Sequence, residues 1–80
     1  MLSRTFYRLS RETVSLETIG TRKQIVRIPE DAVVEVLQVE LGPEHRQMAR
    51  VFWEGKTLEM FAEDIERRGE AILTHAATNG

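Results

Sequence analysis

The chain's two histidines, His45 and His75, stand thirty residues apart with no carboxylate spaced to orient either ring as a general base. A nucleophile needs such a base within hydrogen-bonding reach, so acyl-transfer chemistry has no starting point. No cysteine is present, which excludes a disulfide framework, a thiolate metal site and a thiol nucleophile. Histidines this scattered also make a poor transition-metal set. The acidic pair Glu63-Asp64 opens a helix-like stretch, where adjacent side chains project about 100° apart and diverge. Its expected role is to neutralise a helix N-terminus. The pair Glu30-Asp31 follows Pro29 and reads as turn chemistry. Gly20, Gly42, Gly55, Gly69 and Gly80 never cluster, so neither a phosphate loop nor a dinucleotide fingerprint is formed. The expectation is a chain without enzymatic activity, cofactor or metal.

Charge offers more. Residues 1–29 hold six basic and two acidic side chains, and the remainder holds five basic and eleven acidic, for a net charge of −2. Such asymmetry lets one molecule's basic end meet another's acidic end, or lets the two halves pair within one domain. Arg22, Lys23, Arg27 and Arg50 together with Phe52 form the candidate binding surface. Cations interleaved with an aromatic ring suit single-stranded nucleic acid, RNA in particular, with Phe6 or Tyr7 as further stacking platforms. The sequence pI near 5.7 and a total of five aromatic residues weigh against that reading. The favoured function is a binding or assembly module for an unidentified protein or for a second copy of the chain. Single-stranded nucleic acid is the alternative partner.

The elements that would position these residues follow a period of two. Val14–Ile19 and Lys23–Ile28 read as strands about Gly20-Thr21, with Pro29 as the stop. Val33–Leu41 is rich in β-branched residues and has Val34 and Val36 on one parity, Val33, Leu37, Val39 and Leu41 on the other. Apolar residues on both parities suggest a central strand or one that bends, and it offers an edge to a partner if the first strand leaves it uncovered. Residues 42–47 form a polar loop. Ala49–Trp53 and Thr57–Phe61 flank Glu54-Gly55-Lys56 as a hairpin, with Trp53 facing inward and Phe52 in need of cover. From Ala62 the spacing of Ile65, Gly69, Ile72 and Ala76 becomes helical, with Gly69 either capping a short helix at Arg68 or tolerated within a longer one, and the short helix is expected to cover Phe52 or plug one end of the barrel. The first dozen residues satisfy neither period.

Five strands joined by tight loops and followed by a short C-terminal α-helix read as mainly β, a small antiparallel, partly open barrel of the Src-homology-3 type. A curled antiparallel sheet on one helix is the other reading. The domain is expected over residues 13–76, with 1–12 as a flexible lead and 77–80 as a disordered tail. At 41% apolar and 30% charged residues, the composition is that of a globular domain. Its apolar runs are far shorter than the roughly 18 residues of a membrane span. A soluble protein without membrane contact, in a reducing cytoplasm, is the expectation.

Ile28-Pro29-Glu30-Asp31-Ala32-Val33-Val34-Glu35-Val36, then Phe52-Trp53-Glu54-Gly55-Lys56, then Met60-Phe61-Ala62-Glu63-Asp64-Ile65 resembles a pattern in short bacterial proteins of no known function. The resemblance covers roughly residues 20 to 70 and rests on strand and turn residues. It implies a bacterial cytoplasmic origin and a compact barrel, and no activity. Arg22 to Pro29 is superficially similar to the opening of swapped-hairpin antitoxin-type DNA binders, but Glu30-Asp31 stands where their basic helix start belongs. Met60 to Arg68 is loosely similar to the ending of carbon-storage-type RNA regulators. The basic RNA-contacting residues that precede that ending in the family have no counterpart here.

Overall fold

The computed structural model describes residues 5–72. Seven strands are present: β1 (Thr5–Leu9), β2 (Thr13–Ile19), β3 (Arg22–Ile28), β4 (Val33–Leu41), β5 (Gln47–Trp53), β6 (Lys56–Phe61) and β7 (Gly69–Ile72). One α-helix, α1 (Ala62–Arg68), lies between β6 and β7, and a 3-10 turn, Pro43–His45, lies between β4 and β5. All pairings are antiparallel, in the order β3-β2-β6-β5-β4-β1-β7. The five expected strands are therefore joined by two more, and the sheet does not close. Leu9 from β1 and Ile28 from β3 share one buried cluster although four strands separate theirs in the sheet. The sheet is curled around its core, with β3 and β7 as its edges.

The turns explain much of this path. Ile19 faces Arg22 across a two-residue loop in which Gly20 has φ 64°, the backbone that glycine adopts without a Cβ penalty. Trp53 faces Lys56 across Glu54 and Gly55, whose φ values are 51° and 76°. This is the primed-turn geometry whose twist matches the flanking strands, and asparagine is favoured at its first central position. Glu54→Asn is expected to raise stability by about 0.5 kcal/mol, read as a higher urea midpoint at unchanged slope. An unchanged or lower midpoint would contradict the turn assignment.

Pro29 ends β3 as expected, and the N–H of Ala32 donates to the carbonyl of Pro29 at 3.2 Å across a turn in which Asp31 has φ 72°. Leu9 clasps the same turn: its N–H donates to the Ala32 carbonyl at 2.9 Å, and its carbonyl accepts from the Asp31 N–H at 2.7 Å. Residues 5–9, placed ahead of the domain by the sequence reading, thus lie inside the sheet between β4 and β7.

In β4, Val36 faces Val51 and Gln38 faces Arg50, so Leu37 is an extra residue, a β-bulge. The bulge resolves the two parities. Val34, Val36 and Val39 all reach the inner face, the first two fully buried and Val39 packed against the core. Ala49, Val51, Leu58 and Met60 join them in register from β5 and β6.

The helix packs on that inner face. Ala62 and Ile65 are buried in the cluster, Trp53 is half-buried against it, and Phe52 stays 44% exposed on the opposite face. Covering Phe52 is thus not the helix's role, because Phe52 and the core residues lie on opposite sides of β5. The helix ends at Arg68 with Gly69 as its cap, the shorter of the two readings of that glycine. Gly69 has φ −103° and ψ 150°, its N–H closes the helix on the Ile65 carbonyl, and the chain continues as β7 along β1. A seven-residue helix has little stability of its own, and these tertiary contacts hold it. His75, Ala76 and residues 77–80 lie outside the described residues.

Candidate interaction surface

The alternation that buries the core sends a second set of side chains to the outer face. Register places Lys23, Ile25 and Arg27 of β3 beside Thr18, Leu16 and Val14 of β2. Leu16 faces Glu59 of β6, and Glu59 faces Arg50 of β5. Phe52 and Met48 lie on the same face of β5, and Phe61 is opposite Met48.

Four of the five candidate residues, Lys23, Arg27, Arg50 and Phe52, therefore share the outer face. They do not form one cluster. β3 and β5 are three strand spacings apart, roughly 14 Å, with an acidic residue between them. Arg22 faces the other way, paired with Ile19 at the hairpin end. Phe6 and Phe52 flank Glu35 in register, while Tyr7 packs against the core. The aromatic rings offered as stacking platforms thus lie away from the β3 cations.

The cations are also engaged. Lys23 Nζ lies 3.3 Å from Glu59, Arg27 lies 3.6 Å from Glu12, and Arg50 lies 3.5 Å from Glu40. These are exposed pairs, each worth at most about 1 kcal/mol. Lys23 and Arg27 stay 57% and 71% exposed in these pairs.

What sequence reasoning missed is apolar. Val14 is 50% exposed and Ile25 65% exposed, and on the same face towards β5 lie the half-buried Leu16, Phe61 and Met48. β2 and β6 share a single bridging pair, Leu16 with Glu59, so the sheet opens slightly where these side chains gather. The result is a shallow groove of about 320 Å³ floored by Leu16, Met48 and Phe61 and rimmed by Lys23, Arg46 and Glu40. Arg46 stacks over Phe61 at 3.9 Å from the ring centroid and bonds Glu63 at 3.2 Å, which holds the 42–46 loop against the groove. The signal was in the sequence: Val14, Leu16 and Ile25 share the parity of Lys23 and Arg27 once the hairpin register is known.

His45 is exposed in the loop at φ 61°. Among the described residues no three of His, Asp and Glu gather as metal ligands, and no helix is long and apolar enough to cross a membrane. Compared with known protein families, curated proteins and solved structures, the chain has no significant match.

Proposed function

We propose that this chain is a non-enzymatic interaction module that binds another protein through the outer face of its β2–β3 hairpin. The observation that carries this reading is the apolar strip from Ile25 through Leu16 and Val14 to Met48 and Phe61, lying beside a sheet edge that is unpaired among the described residues. Exposed apolar surface rimmed by charge marks interaction sites. A free edge adds the main-chain donors and acceptors that such contacts use. The edge expected along Val33–Leu41 is covered by β1 over Val33–Val36. Nucleic-acid binding is less well supported, because Lys23 and Arg27 on β3 lie three strands from Arg50 and Phe52 on β5, with Glu59 between them.

Selection of a displayed random-peptide library on the full chain tests the proposal. Enriched peptides are expected, and Val14→Glu, at a half-exposed position that leaves the core intact, is expected to weaken them by about ten-fold. A single-stranded RNA is expected to give no saturable binding at low ionic strength. RNA binding with a steep salt dependence, together with no enriched peptide, would overturn the reading.

A further inference from the structure

Resting on that reading, we infer that the edge of β3, unpaired among the described residues, accepts an extended segment of another protein by strand addition, and that this segment carries an acidic, an apolar and an acidic residue at alternate positions. The backbone argument comes first. In a two-residue hairpin the closing pair, here Ile19 and Arg22, exchanges both of its hydrogen bonds. Alternation then turns the backbone groups of Gln24, Val26 and Ile28 toward β2, and those of Lys23, Ile25 and Arg27 toward the open side. The same three residues place their side chains on the outer face, so an added strand meets them in register.

Charge then selects the occupant. β3 carries Arg22, Lys23 and Arg27 and no acid. The carboxylates that pair with Lys23 and Arg27 all lie inboard, Glu59 on β6 and Glu12 just before β2. The open side therefore presents two cations flanking Ile25, which is 65% exposed. Opposite charges across a strand pair are favourable and like charges are not. An arriving strand is complementary when its acids lie opposite Lys23 and Arg27 and an apolar side chain lies opposite Ile25.

A second copy of the chain fits badly at this edge. The two-fold antiparallel register that brings Ile25 against its twin also sets Lys23 against the other copy's Arg27, twice over.

The test titrates the isotopically labelled full chain with the acetylated, amidated peptide Thr-Glu-Thr-Val-Thr-Glu-Thr, and with the same peptide in which lysine replaces both glutamates. Saturable shifts of the Lys23, Ile25 and Arg27 amides are expected with the acidic peptide, with far weaker effects from the basic one. The double variant Lys23→Glu/Arg27→Glu is expected to lose about ten-fold in affinity for the acidic peptide and to gain affinity for the basic one. Ile25→Pro removes a donor on the open side while leaving the ladder to β2 intact, and it is expected to abolish both interactions. Equal binding of the two peptides, or an unaltered preference in the double variant, overturns the charge selection. Library peptides that shift Leu16, Met48 and Phe61 but leave the β3 amides unmoved overturn strand addition and leave the interaction-module reading standing. No peptide binding anywhere on the chain overturns both.

Discussion

Ile65→Ala is expected to lower the unfolding free energy by about 2–5 kcal/mol, the cost of a buried isoleucine replaced by a cavity. Ile65 is fully buried and, with Ala62, is one of two helical residues in the core. A chain of 80 residues has a total stability of roughly 4–12 kcal/mol, so the variant forfeits a large share of it. The loss concentrates because α1 lies between β6 and β7 in the chain. When its anchor goes, β7 loses the element that delivers it to β1. Urea titration followed by circular dichroism should show the drop in midpoint, and hydrogen exchange should show β7 losing protection first. Ile25→Ala is the matching control, since its side chain is 65% exposed and surface truncations stay within about 0.5 kcal/mol. Equal effects of the two variants would refute the assignment of the inner face as the core.

Gly69→Val is the second large effect, and it is steric. The φ of −103° at Gly69 is open to any residue, so conformational freedom is not the reason for glycine there. A Cβ at this position would sit 2.5 Å from the Ile65 carbonyl oxygen and 3.3 Å from the Tyr7 ring. The first of these is backbone of the last helical turn and cannot swing away as a side chain would. The expected destabilisation is about 1–3 kcal/mol, the range for overpacking a tight site, with exchange protection lost across β1 and β7. Gly20→Ala provides the contrast: a Cβ there meets nothing within 4 Å, yet φ is 64°. Its cost, about 1 kcal/mol, comes from the backbone alone. A Gly69→Val chain as stable as the parent would show that the helix does not end in this close approach.

Local signals carried the middle of the molecule. Period-two alternation, Gly20 and Gly55 at primed turns, and Pro29 as a stop are short-range effects of sterics and hydrogen bonding, and each operates within a few residues. Strands β2 to β6 and the start of α1 were legible for that reason. The terminal strands were not. β1 has no clean period because Tyr7 and Leu9 face the core while Phe6 and Arg8 face out beside Ile72 and Glu70. β7 falls inside a helical spacing that Gly69 interrupts.

The binding surface divides the same way. Its residue types were visible, and Lys23 and Arg27 were chosen from them, but their meaning depended on partners distant in sequence. Glu59 pairs with Lys23 from 36 residues away. Leu16, Met48 and Phe61 become one groove only when three strands are laid side by side.

What the chain determines by itself is the length of its strands, the place of its turns and the alternation that gives each strand two unlike faces, because these depend on neighbouring residues alone. What only the tertiary structure decides is which strands lie at the edges, how the bulge at Leu37 brings two parities onto one face, and which cations are already matched by carboxylates. Those outcomes depend on pairings between segments far apart in sequence, where the gain from burying Ile28, Leu9 and Ile65 in one cluster outweighs any local preference.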